Sequence, residues 1–84
     1  MGEVDLASIQ SDKVADARGS ACPGPLLEAK KGIGSVPVGG VLEVWSNDPG
    51  TKNDLPAWSA KVGHEFLGVL PAEGYDRVFV RRKK

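Results

Sequence analysis

Cys22 is the only cysteine in the chain, and it heads the run Cys22-Pro23-Gly24-Pro25. A thiol attacks sulfur or carbon only as the thiolate, so its use depends on what lowers its pKa. The neighbours supply a reason. Pro23 biases Cys22 toward extended backbone angles, the region an N-cap residue occupies. With Cys22 as N-cap, Pro23 takes the first helical position and Pro25 the third. N–H groups there have no intrahelical partner, so neither proline removes a helix hydrogen bond. The sulfur then lies over the positive end of a helix, where a thiolate is favoured. The competing reading is a buried, inert cysteine, common for free thiols, although Pro-Gly-Pro is poor core material. Without a second thiol, Cys22 cannot be consumed in an internal disulfide.

Two residues nearby bear on this chemistry. Gly24 carries the free N–H between the two prolines. It either bonds the thiolate, stays open for an anionic donor group, or only allows close approach. Arg18, four residues before Cys22, either stabilises the thiolate or an incoming thiosulfonate, or is a solvated arginine, as surface arginines usually are.

Other chemistries lack their parts. His64, the single histidine, follows Gly63 with nothing to bring it to Cys22, and reads as a capping or surface residue. No cluster of His and Cys exists to ligate zinc, and no nucleophile elbow is present. Gly32, Gly34, Gly39 and Gly40 follow a helix rather than open one, the reverse of a phosphate-cradling order. No cofactor and no metal are expected.

The 84 residues suffice for one small domain. Eleven Lys and Arg balance eleven Asp and Glu, which argues against a general electrostatic nucleic-acid binder. One cysteine cannot build a disulfide framework. Residues 1–12 contain no apolar run, so no signal peptide is read there, and no later run is long enough to span a bilayer. Cytoplasmic location is the simplest expectation.

The elements that position Cys22 follow from periodicity. Residues 1–12 read as a loosely ordered leader and 13–84 as the domain. Lys13 to Arg18 alternates as a short strand, and Gly19-Ser20-Ala21 turns into the Cys22 helix. There Leu26, Ala29 and Ile33 form a stripe with Leu27 beside it, and Gly32 and Gly34 offer ends. Val41 to Ser46 is the second strand. Asn47-Asp48-Pro49-Gly50 is turn chemistry, leading to a helix from Thr51 or Asp54 to Val62. Thr51 and Asp54 resemble a capping box, Leu55, Trp58 and Val62 its buried stripe, and Gly63 its end. Glu65 to Leu70 reads as the third strand, Pro71 to Gly74 as a turn, and Tyr75 to Arg82 as the fourth strand. Alternating strands predict a sheet covered on one face only: an α+β two-layer sandwich, βαβαββ, with both helices on that face. Trp45 and Phe79 then fall on the uncovered face, where they mark a partner or dimer surface or are simply scattered exposed aromatics. The tail Arg81 to Lys84 reads as a solvated end.

Taken together, Asp16-Ala17-Arg18-Gly19, Cys22-Pro23-Gly24-Pro25, Asp48-Pro49-Gly50-Thr51, Asp54-Leu55-Pro56 and Trp58 resemble the TusA, or SirA-like, sulfur-carrier family over roughly residues 13–82. The resemblance implies a four-stranded mixed sheet under two helices. It implies that Cys22 carries sulfane sulfur as a persulfide, with Pro23, Gly24, Pro25 and Arg18 in support. It also implies a co-substrate protein of sulfurtransferase type rather than a classical turnover enzyme. The donor would be a cysteine desulfurase or rhodanese, the acceptor a DsrE-like or similar protein. The uses would be tRNA thiolation, molybdenum cofactor synthesis or sulfur oxidation. A monomer or weak dimer is expected, with no membrane and no direct nucleic-acid partner. Gly24 departs from the glutamate of many members, and Ser20 and Ala21 from their bulkier or charged residues, so the surface beside the sulfur differs. The rival reading is a non-catalytic RNA-binding or regulatory module using the basic tail and the sheet face.

Overall fold

The computed structural model describes residues 11–19 and 24–84. The elements are β1 (Lys13–Asp16), α1 (Gly24–Ile33), β2 (Val41–Ser46), α2 (Thr51–Val62), β3 (Glu65–Ala72) and β4 (Tyr75–Arg81). The sheet order is β1-β2-β4-β3. β1 runs parallel to β2, and both other pairings are antiparallel, so the sheet is mixed as expected.

The period-2 pattern of the central strands places Leu42, Val44, Val78 and Val80 toward the helices, all fully buried. With Ala15, Ala29, Val36, Leu55 and Trp58 they form one apolar core. Trp58 is thus a core residue, as its spacing implied.

Details of the helices differ from the local reading. The buried face of α1 is Pro25, Ala29, Gly32 and Ile33; Leu26 packs partly against the core, while Leu27 turns outward, 51% exposed. Gly32 is not a terminator. A Cβ there would lie 2.9 Å from Leu42 Cδ1, so the missing side chain lets the helix settle onto the sheet. α2 starts at Thr51 behind Gly50, with no side-chain cap, so the capping box does not form. The Thr51 hydroxyl instead shares a buried 2.7 Å hydrogen bond with Ser46. Asp54 is not the cap, and Pro56 lies inside the helix. The lost bond falls on the carbonyl of exposed Lys52, where water can replace it. Val62 is 38% exposed, and Ser59 is buried in its place, its hydroxyl donating to the Leu55 carbonyl at 2.7 Å. Gly63 ends the helix in the left-handed region at φ 87°, as predicted.

β3 continues through Pro71 to Ala72, and the turn tightens to Glu73-Gly74. Proline is tolerated because β3 is an edge strand. β1 stops at Asp16 and β4 at Arg81, each short of its predicted end. The tail is not a free solvated end. Arg82 exchanges main-chain bonds with the 39–40 loop (Gly39 N–H to Arg82 O, 2.7 Å; Arg82 N–H to Gly40 O, 2.9 Å). Its guanidinium donates to the Ile33 and Val36 carbonyls at 3.3 and 2.7 Å, placing a cation at the negative end of α1.

The sheet's far face is not bare. Phe79 is fully buried there and Glu43 is 3% exposed. Arg77 lies 5.4 Å over the Phe79 ring, which faces Glu43 on one neighbour and Gly68 on the other. Of the predicted leader, residues 1–10 lie outside the described residues. Ser11 and Asp12 bond to β2: the Ser11 hydroxyl donates to Glu43 at 2.5 Å, and the Val41 N–H donates to Asp12 Oδ2 at 2.9 Å.

Candidate functional site

The thiol-bearing run leaves the end of β1 and enters α1. Its approach is well anchored. The Ala17 N–H donates to the Trp45 carbonyl at 2.8 Å, carrying the β1–β2 ladder one residue beyond β1. Gly19 sits at φ 86°, a left-handed conformation that suits glycine. Its N–H donates to Asn47 Oδ1 at 3.0 Å. Cys22 and Pro23 lie outside the described residues, as do Ser20 and Ala21. The chain re-enters at Gly24, the first residue of α1, half-buried, followed by buried Pro25. The expected cap at Cys22 and first helical position at Pro23 lie outside the described residues; Pro25 falls in the first described turn of α1. In the sequence Cys22 lies two residues before Gly24. No acidic residue occupies the first turn, and Lys30 and Lys31 occupy the last. With Arg82 at the far end, the charges reinforce the positive N-terminus of α1.

The loop joining β2 to α2 lies alongside, because β1 and β2 are parallel neighbours and Asn47 bonds Gly19. Its turn is internally held: the Asp48 N–H donates to the Ser46 hydroxyl at 3.0 Å. The Gly50 N–H makes a long 3.4 Å bond to Asp48 Oδ1, while Asp48 Oδ2 is buried with no hydrogen-bond partner among the described residues. The structural role read for Asp48 and Thr51 is met through Ser46.

Arg18 is strongly engaged. Its guanidinium grips both Asp16 oxygens, Nε to Oδ1 at 2.9 Å and Nη2 to Oδ2 at 2.8 Å. It also lies 4.8 Å over Trp45 and 5.0 Å over Tyr75. The side-chain bond from Arg18 holds the Asp16 carboxyl down to about 2.

The local reading missed a hub on the same face. Burial pushes the Glu43 pKa up, but bonds from Arg77, Ser11 and Trp45 outweigh it and hold the carboxyl below its ordinary value. Arg77 Nε donates at 2.7 Å, and the Trp45 indole N–H donates to the other bond site on Oε2. The signal was present in the register. Arg77 pairs with Trp45, two positions from Glu43, a diagonal that opposite charges can bridge.

His64 lies beyond the C-terminal end of α2, edge-on to Trp58 at 5.7 Å. It accepts the Lys83 N–H at 3.2 Å, a tail-fixing role. Burial, then Arg82 and Lys84, lowers its pKa. Among the described residues no group of His, Cys, Asp and Glu could hold a metal, and no helix is long and apolar enough to cross a membrane.

Residues 13–82 match the protein family described as Sulfurtransferase TusA. The chain is similar to a putative sulfur carrier protein of Archaeoglobus fulgidus, 48% identical over 71 residues, 84% of this chain and 97% of the relative. It is also similar to the sulfur carrier protein TusA of Pseudomonas entomophila, 36% identical over 78 residues, 93% of this chain and 98% of the relative. The crystal structure of a SirA-like protein from Desulfitobacterium hafniense shares the fold, with a TM-score of 0.73 at 24% identity, covering 86% of this chain and 99% of that one.

Proposed function

The chain belongs to the TusA family, and from that premise we propose that it is a sulfur carrier whose Cys22 holds sulfane sulfur and relays it between partner proteins. The reading is supported by the sequence position of Cys22, just ahead of the described start of α1. Cys-Pro-Gly-Pro runs into the first turn of α1, which has no acidic residue at its start and three cations at or near its end. That arrangement favours a thiolate at neutral pH.

In the loading step the Cys22 thiolate attacks the outer sulfur of a donor persulfide. A new S–S bond forms at Cys22, the donor's S–S bond breaks, and the donor leaves as a thiolate. No net oxidation occurs. Unloading repeats the exchange, with an acceptor thiolate attacking the outer sulfur and Cys22 as the leaving group. With tetrathionate the thiolate attacks one of the two inner sulfurs: a bond from Cys22 to a thiosulfate group forms, the central S–S bond breaks, and thiosulfate leaves. The chain acts as a co-substrate in both steps. A cysteine desulfurase or rhodanese fits the donor role, a DsrE-like protein the acceptor role. The use of the sulfur follows from whichever partners are present: tRNA thiolation, cofactor synthesis or sulfur oxidation.

The RNA-binding alternative is the less favoured reading: Arg81 and Lys83 of the basic tail lie beside Glu65, and the net charge of the chain is zero.

Intact mass spectrometry after incubation with a persulfide donor or tetrathionate tests the proposal. A reducible adduct is expected on the wild-type chain and none on Cys22→Ala. An unmodified wild type, under conditions that load a control thiol, would refute it.

A further inference from the structure

Among the described residues β1 is an edge strand, paired to β2 on one side only. Because the Ala17 N–H turns inward to Trp45, alternation along a parallel ladder turns the N–H and C=O of Val14 and Asp16 outward. A groove of about 300 Å³ runs between this edge and α1. Its floor is small: buried Ala15 and Gly32, with a Cβ at Gly32 only 3.7 Å from that of Ala15. α1 returns antiparallel to β1, so its last turn stands beside the start of the strand. Lys13 and Lys31 therefore share one end of the groove, and Glu28 lies farther along. Lys31 is engaged with Glu28 at 3.7 Å, whereas Lys13 makes no ion pair among the described residues. Val14, on the opposite face of the strand, is 42% exposed.

The geometry points to β1 as a docking edge for an extended segment of a partner protein, which adds to the sheet as an antiparallel strand. The register sets its chemistry. The residue facing Ala15 enters the groove and must be small. The next faces Val14 and is apolar. The one after faces Lys13 and is acidic. Antiparallel addition is chosen because it is the more stable pairing. A second copy of this chain fits poorly. To keep the helix layers on one side, self-pairing must match residues of the same face, which sets Lys13 against Ala15 or Ala17 of the other copy and leaves its charge unmet. A charged, four-residue edge also resists indiscriminate strand pairing, so the acid opposite Lys13 becomes the selecting contact.

The test uses the full-length Cys22→Ala chain, labelled with nitrogen-15, so that failure here is separate from failure of the sulfur-carrier reading. The probe is acetyl-Thr-Ala-Val-Glu-Thr-amide, followed by NMR at millimolar concentration. Saturable shifts centred on Val14 and Asp16, with their amides newly protected from exchange, are expected. Val14→Pro removes an outward N–H that β2 does not use, and should weaken binding at least tenfold. Lys13→Glu, which leaves the backbone intact, should weaken it about fivefold, and a probe with Lys in place of Glu should restore it. Shifts confined to other surfaces, no saturable shift, or a dimer of the chain that occupies the same edge would overturn the proposal.

Discussion

The two faces of the sheet are stabilised by different physics. Toward the helices, Leu42, Val44, Val78 and Val80 are fully buried in an apolar core, where the gain is loss of water contact and close packing. On the far face the same strands, offset by one residue, bury Glu43 and Phe79. There a carboxylate accepts from Ser11, Trp45 and Arg77. A one-residue offset thus separates a pH-insensitive face from one whose cohesion depends on a single ionised group. The difference also bears on the thiol. β1 feeds the Cys22 run from the apolar side through buried Ala15 and Ala17, while Asp16 and Arg18 hold the polar side.

The largest effect should come from the apolar face. Leu42→Ala removes a fully buried side chain and should cost about 3 kcal/mol, a large share of the roughly 5–15 kcal/mol available to a small domain. Denaturant unfolding would measure it, and the loss should be the same at pH 7 and pH 4. Glu43→Gln should cost less, about 1–2 kcal/mol at pH 7, because Arg77 is 29% exposed and water replaces part of what it loses. Its loss should depend on pH. The folded pKa of Glu43 is depressed, so its contribution is complete above the unfolded value of about 4.3 and fades as pH falls through the folded one. The gap between wild type and Glu43→Gln should therefore close in acid. Identical pH profiles for Leu42→Ala and Glu43→Gln would erase the distinction between the faces.

What could be read from the residues, and what could not, follows the same division. Alternation in Val41 to Ser46 fixed the helix-facing residues, and Gly63 marked the end of α2, because both signals are local. The missed features depend on what lies across the fold. Gly32 looked like a helix end because only the Leu42 side chain opposite it makes it a packing residue. Pro71 looked like a turn because its place in β3 is allowed only by the strand order. Arg82 looked solvated because its acceptors, Ile33 and Val36, are 49 and 46 residues away. For the candidate site, Pro25 near the start of α1 and Gly19 as a turn were legible, since each rests on its own backbone preference. The commitment of Arg18 to Asp16, Trp45 and Tyr75 was not, since Trp45 and Tyr75 reach it only through the strand register.

The smallest effect lies at the exposed edge of the far face, where Asp16 and Arg18 repeat in solvent the pairing that Glu43 and Arg77 make under cover. Both carboxyls are held below their ordinary values, yet the causes differ. For Asp16 the first is the side-chain bond from Arg18, and its pKa falls to about 2, whereas Glu43 must first overcome burial. An exposed pair contributes little to stability, so unfolding experiments should not register its loss. A carboxyl titration by NMR should. Asp16 is expected to titrate near 2 in the wild type and to return toward the ordinary aspartate value of about 3.9 in Arg18→Ala. Because the same guanidinium lies over Trp45, indole fluorescence should change in the same acid range in the wild type and not in the variant. An Asp16 midpoint near 4 in the wild type would mean that Arg18 is not held by this cluster. The guanidinium would then be free to serve an anion at the Cys22 end of the molecule, and the contrast between a covered and an open ion pair on one sheet face would fail.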